Sequence, residues 1–295
     1  MPLSGNAMSP GGYRCKFHMK SSRIFANMSR LDRLRIAPDE KFRLGDFDPA
    51  DRDVAPGDKD ETTEKLAKLE DRLGELQELL FADHTRALLV VLQGMDTSGK
   101  DGTVRHVMHG VSPLGVRAVP FKKPTPPEQD HDFLWRAHAQ TPGKGEIVFF
   151  NRSHYEDVLI VRVHGWIDEK ECRRRYDQIN DFERLLVESG TIVLKFFLHI
   201  SKDEQRKRLR ARVEDPTKRW KFQMGDLDER KLWSDYQSAY EHAIAKTSTK
   251  LAPWIVVPAD HKWVRNYVVA KTLVDTLESL DMKYPAPDLK AAVIE

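Results

Sequence analysis

The sequence predicts a three-layer α/β fold, a five-stranded parallel sheet with helices on both faces. Three observations predict it. Short apolar runs of strand length recur along the chain, segments of helical period separate them, and a glycine-rich turn follows the first run directly. Strands joined by helices of ten or more residues need crossover connections, which makes the sheet parallel. Ala87–Leu92 (ALLVVL) is apolar throughout, as a strand covered on both faces must be. Gly115–Phe121, Glu146–Phe150, Thr191–Leu198 and Trp254–Val257 supply the other four strands. Helices are expected over about Gly102–Gly110, from Pro126 to about Gln140, and over Tyr155–His164, Glu169–Ser189, Lys202–Val213, Trp233–Lys246 and Asp260–Leu280. Pro126 and Pro127 suit a first helical turn, whose N–H groups have no partner to lose. Ahead of the first strand, Leu66, Leu69, Leu73, Leu76 and Leu80 recur at three or four residues. They predict an amphipathic helix over Thr62–Phe81, its stripe packed on the chain's own core or on a partner.

At 295 residues the chain is one large domain or two small ones. Residues 1–60 carry glycines, prolines and many charges without period and read as an irregular N-terminal arm, part of which can pack on the core. The folded domain is expected over 61–283 and a C-terminal tail over 284–295. Lys+Arg 48 against Asp+Glu 46 leaves a formal charge of +2, which excludes a protein that coats polyanions along its whole surface. No stretch approaches the about 18 apolar residues of a membrane span, so no membrane partner is expected. Two cysteines, Cys15 and Cys172, make no disulfide framework. With a polar Met1–Arg30 in place of a signal sequence, they point to the cytoplasm.

The strongest motif is Gln93-Gly94-Met95-Asp96-Thr97-Ser98-Gly99-Lys100-Asp101-Gly102-Thr103, set between an apolar strand and a helix start. A phosphate loop belongs there, and the spacing of Gly94, Gly99 and Lys100 fits G-x-x-x-x-G-K. Glycines let backbone N–H groups turn inward around an anion, the helix N-terminus adds partial positive charge, and Lys100 supplies a full one. Ser98, Gly102 and Thr103 complete the candidate phosphate contacts. Asp101 stands where Ser or Thr usually ligates Mg²⁺, so two carboxylates, Asp96 and Asp101, flank the lysine. Carboxylates in a phosphate cradle repel the ligand unless a divalent cation lies between, which implies Mg²⁺, or Mn²⁺ in its place.

The third strand ends in Asn151-Arg152-Ser153-His154-Tyr155-Glu156-Asp157. Carboxyl ends of parallel strands line the ligand crevice, so this cluster should face the loop if the two strands are neighbours. Arg152 can hold phosphate oxygens bidentately, and Glu156 can ligate the metal or cap the next helix. The pairs His106/His109 and His131/His138 lack carboxylate or cysteine company at zinc spacing, so no zinc site is expected. Between Lys202 and Lys221 stand nine basic and four acidic residues, a net +5. Arg208 and Arg212 share one helix face, and Pro216 breaks the run that carries Lys218 and Lys221. On charge alone this could be a solvated surface helix, but its place after the fourth strand resembles that of the P-loop kinase lid, here expected over about 202–228, which lays cations on a transferring phosphate. Lys122 and Lys123, after the second strand, extend the positive channel. Nucleic acid would fit such a channel, but there is no recognition-helix signature and no set of aromatics spaced for stacking bases.

Together these residues resemble the polyphosphate kinase 2 family. Its loop, G-x-D-x-x-G-K-D-G, is matched by Gly94, Asp96, Gly99, Lys100, Asp101 and Gly102. Its second motif resembles Asn151–Leu159, and its lid resembles Arg208, Arg212, Asp215-Pro216, Lys218 and Trp220-Lys221. The resemblance covers about Glu61–Met282. It implies a thymidylate-kinase-like P-loop kinase fold, Mg²⁺-dependent reversible transfer between inorganic polyphosphate and nucleotides, and a homodimer or homotetramer. It also implies catalytic roles for Asp96, Lys100, Arg152, Arg208 and Arg212. Asn151, where the diphosphate-specific subgroup carries an acid, resembles the subgroups that accept monophosphates, and the segment Asp130–His138 resembles the one that takes both mono- and diphosphates. The competing expectations are an ATP-dependent nucleoside monophosphate kinase and a non-catalytic P-loop protein that binds nucleic acid.

Overall fold

The structure, a computed structural model, describes residues 31–38 and 41–286. Its sheet has five parallel strands in the order β2-β3-β1-β4-β5: β1 Ala87–Gln93, β2 Val116–Pro120, β3 Ile147–Asn151, β4 Thr191–His199 and β5 Trp254–Pro258. β1 lies in the middle and is buried along its whole length, which is why its sequence is an unbroken apolar run. β4 is buried throughout as well, although it carries Lys195. That ammonium is satisfied inside: it donates to Glu183 at 2.6 Å, to the Thr247 carbonyl at 2.6 Å and to the Tyr155 hydroxyl at 3.0 Å. Burial drives its pKa down and Glu183 opposes the shift.

One helical layer is formed by α1 (Lys59–Asp83), α2 (Lys100–Val107) and the last helix, α10 (Lys262–Glu278). The leucine stripe of α1 turns inward: Leu66, Leu73, Leu76 and Leu80 are buried against α10 and the sheet, so it serves this chain's own core. Asp58 caps α1 by accepting from the N–H groups of Asp60 and Glu61. The other layer contains α6 (Glu169–Glu188), packed on β4, and α9 (Trp233–Thr247), packed on α6; α7 (Lys202–Glu214) follows the end of β4.

Two expected helices are broken. From Pro126 a capping box at Thr125 and Glu128 starts α3 (Pro126–Gln129), but Asp132 accepts from the Leu134 N–H and turns the chain before α4 (Trp135–His138). The segment expected as one helix over Tyr155–His164 is a 3₁₀ turn, His154–Val158, followed by α5 (Ile160–Val163). His154, Tyr155 and Val158 are all buried there, and the tighter turn drives them into the core.

Of the arm expected over 1–60, residues 1–30, 39 and 40 lie outside the described residues, as do 287–295 of the expected tail. The described part is packed rather than loose. Leu31, Leu34, Ile36 and Leu44 are buried, Ile36 N–H donates to the Trp254 carbonyl at 2.9 Å, and Arg35 bridges Ile255 in antiparallel sense. This covers the outer edge of β5, which would otherwise present unpaired backbone groups. No helix of the described residues is long and apolar enough to cross a membrane.

Candidate active site

The loop after β1 is shaped by residues in left-handed conformation. Gly94 has φ +151°, and a Cβ there would meet the Leu198 carbonyl at 2.7 Å and Ser98 Oγ at 2.8 Å. Gly99, the residue before α2, has φ +109°. Thr97 takes φ +65°, a strained conformation for a branched residue and one that accumulates at ligand sites. Among the described residues the hydroxyls of Thr97, Ser98 and Thr103 are buried without hydrogen-bond partners. Three buried unpartnered hydroxyls on one loop and its helix are what a bound anion would satisfy. Lys100 is folded back over this loop, its Nζ donating to the carbonyls of Gly94 at 2.6 Å and Met95 at 3.3 Å. Burial, and next the charge of Arg152, push its ammonium down to about 8.

β3 is the neighbour of β1, with Leu92 opposite Asn151, so the second motif does end beside the loop. Arg152 N–H donates to the Leu92 carbonyl, and φ +60° swings its side chain across to Asp96, where Nη2 donates to Oδ1 at 2.6 Å. Burial works to raise the Asp96 carboxyl, but Arg152, Lys100 and Arg212 outweigh it and hold the group below its usual range. For Glu156 burial raises the pKa, and the fields of Arg152 and Lys100 pull against that. Asn151 Nδ2 donates to Asp101 Oδ1 at 2.8 Å, and Lys221 of the lid reaches Asp101 Oδ2 at 3.3 Å.

Asp96, Asp101 and Glu156, the carboxylates offered as metal candidates, do not gather into one three-ligand cluster among the described residues. Asp101 faces Asn151 and the lid while Asp96 faces Arg152, and among the described residues no three His, Cys, Asp or Glu side chains could hold a metal ion together. Mg²⁺ does not need such a cage, since it takes one or two carboxylates and completes its shell with water and phosphate oxygens. Asp96 fits that requirement. So does Asp226, in the first turn of α8 (Gly225–Lys231), a residue that sequence reasoning missed. Burial and then the negative charge of Asp96 raise the Asp226 carboxyl, and Arg212 approaches its Oδ2 at 3.7 Å. Its signal was its place inside the expected lid, where attention to cations hid an acid.

Arg212 thus belongs to the Asp96 cluster. Arg208 does not lie free above the loop as expected. All five of its N–H groups are in use: Nε on Glu204 at 2.8 Å, Nη1 on the carbonyls of Thr97 and Ser98 at 3.0 and 3.1 Å, and Nη2 on those of Ala259 and Asp260 at 2.7 and 2.9 Å. It clamps the loop to the turn after β5 and has no donor left for a phosphate in this arrangement. Lys218 is paired with Asp215. Lys122 and Lys123 are exposed just past β2, where Phe121 N–H still bonds the Asn151 carbonyl at 3.0 Å. Gly102 stands in the first turn of α2, where a Cβ would come within 3.3 Å of Arg265 Nη2. Arg265 is the second residue that the sequence did not disclose.

Residues 57–285 match the family described as Polyphosphate kinase 2. The chain is similar to an AMP/ADP-polyphosphate phosphotransferase of Meiothermus ruber, 54% identical over 88% of this chain and 97% of that one. It is also similar to an ADP-polyphosphate phosphotransferase of Rhodopseudomonas palustris, 43% identical over 87% of this chain and 92% of that one. Among solved structures, polyphosphate kinase 2 from Arthrobacter aurescens TC1 superposes with a TM-score of 0.85 at 48% identity, covering 88% of this chain and 92% of that one.

Proposed function

Because the chain belongs to the polyphosphate kinase 2 family, we propose that it moves the terminal phosphate of inorganic polyphosphate onto AMP and ADP, reversibly and with Mg²⁺. The observation that carries this reading is the loop itself. Lys100, Arg152 and three buried, unpartnered hydroxyls gather at one end of the sheet around a carboxylate that can take a cation. An oxygen of the nucleotide's last phosphate attacks the terminal phosphorus of the chain in line. The new P–O bond forms as the bridging P–O bond breaks, and the chain leaves one phosphate shorter. The attacking oxygen is already ionised, so no general base is needed. Catalysis consists of positioning and of offsetting charge in a loose transition state.

Lys100 and the loop amides grip the donor's end, and Arg152 and Arg212 face the phosphoryl group in flight. Asp96, with Asp226, would hold Mg²⁺, which when bound neutralises the phosphate oxygens and keeps the donor and acceptor phosphates in register. Lys221 closes the lid end of the site through Asp101, and Lys122, Lys123 and Lys218 line the approach of the chain. The neutral Asn151 leaves room for a monophosphate acceptor without added repulsion. The protein works in the cytoplasm, a setting that its buried free thiol at Cys172 tolerates, as a homodimer or homotetramer.

The test is donor competition: AMP is supplied with long-chain polyphosphate or with ATP in separate reactions containing Mg²⁺. Faster ADP formation from polyphosphate supports the reading, and ADP from ATP alone would make the protein an ATP-dependent monophosphate kinase. A pH profile adds a second check. With Lys100 brought down to about 8 in the free protein, its charge is present below that pH and lost above it. The value of kcat/KM for polyphosphate, which reports groups of the free enzyme, is therefore expected to fall as pH rises through about 8, and a profile level to about pH 9.5 would contradict the charged grip.

A further inference from the structure

Beneath the phosphate loop lies a guanidinium that the mechanism above does not use. Arg265, in the first turn of α10, is 2% exposed. Its Nη1 donates to the Ser98 carbonyl at 3.2 Å, the same oxygen that Arg208 Nη1 approaches at 3.1 Å. Its Nε and Nη2 both donate to Asn266 Oδ1, at 3.1 and 2.8 Å. It fills the space that a side chain on Gly99 would need, for a Cβ there would sit 1.7 Å from Nη1. Among the described residues no carboxylate pairs with it, and an amide stands where a carboxylate would neutralise it. Burial, and then the like charge of Arg208, bring the guanidinium down to about 9. Lys262, one turn away, is lowered by burial, by Arg208 and by Arg265 itself. Two guanidinium groups thus meet at one loop carbonyl, and Glu204 is the carboxylate that answers Arg208.

A buried charge without a counter-ion is costly, and structures keep one where a ligand supplies the missing partner. The loop must also present N–H groups to an anion, which requires its carbonyls to face the other way. We propose that Arg265 is a positioning residue for the donor chain: it holds the Ser98 carbonyl turned from the anion and lends the loop a positive charge that the entering polyphosphate neutralises. This rests on the reading that the loop takes up polyphosphate.

The test is Asn266→Asp, which keeps the acceptor oxygen and gives Arg265 a counter-charge. Expected are a polyphosphate KM raised about tenfold, an AMP KM within about twofold of wild type, and a smaller rise in Tm on adding inorganic tripolyphosphate with Mg²⁺. A residue that only packed and bonded would keep its contacts in this variant and move none of these. An unchanged polyphosphate KM, or equal rises in both KM values, overturns the proposal. Arg265→Lys and Arg265→Gln supply an independent arm. The lysine variant should stay within about threefold of wild type in polyphosphate KM and the glutamine variant should not; equal impairment marks a packing role and overturns it too. Lys100→Ala separates the two readings. If it stays active, the loop reading fails. If it is inactive while Asn266→Asp is unaffected, only the inference on Arg265 fails.

Discussion

Lys100→Ala is expected to lower turnover by about 10²-fold or more, the cost of removing one preorganised charge from a transition state. The expectation follows from where the ammonium is held. Its Nζ is fixed on the carbonyls of Gly94 and Met95 before any substrate arrives, so the charge is in place without reorganisation. The surrounding turn keeps other supports, because Arg208 and Arg265 hold the carbonyls of Thr97 and Ser98. The variant should therefore fold, and circular dichroism with kcat measured on polyphosphate and AMP separates lost chemistry from lost structure. Near-wild-type kcat would remove Lys100 from the mechanism.

Asp96→Asn should cost as much, about 10²–10³-fold in kcat, since it strips the site of the carboxylate that is bonded to Arg152 and that we propose holds Mg²⁺. An asparagine of the same size keeps an oxygen to accept from Arg152, now 2.6 Å away, so a role confined to steering that arginine would survive the change. A role in holding the cation would not, because a neutral amide is a poor partner for Mg²⁺. The discriminating measurement is the Mg²⁺ dependence of the rate. Half-saturation is expected at a much higher concentration in the variant. An unaltered Mg²⁺ profile with an unaltered kcat would contradict the assignment.

The sheet was legible because burial on both faces leaves no choice but apolar runs such as ALLVVL, and the loop because its glycines have a fixed spacing. That Asn151 and Arg152 would stand beside the loop followed once β1 and β3 were neighbours, a pairing that periodicity does not determine. The broken helices after Pro126 and Tyr155 were hidden for a different reason. A local turn at Asp132 and the burial of His154 and Tyr155 override an otherwise helical pattern. The resemblance to the family lid implied a substrate role for Arg208, yet in this arrangement its donors go to Glu204 and to four carbonyls that come together only in three dimensions. Asp226 and Arg265 escaped because each is a single residue in an unremarkable helix turn. The crevice rule that drew attention to the end of β3 applies equally to the turn and helix that follow β5, and there it points to Arg265.

Phosphorus NMR of the protein mixed with Mg²⁺, long-chain polyphosphate and AMP tests the central claim most directly. The account predicts that ADP and then ATP resonances grow as mid-chain polyphosphate phosphorus is consumed, with no ATP supplied at the start. A spectrum that stays that of AMP and intact polyphosphate, from protein that does form ADP when ATP replaces the chain, would contradict it.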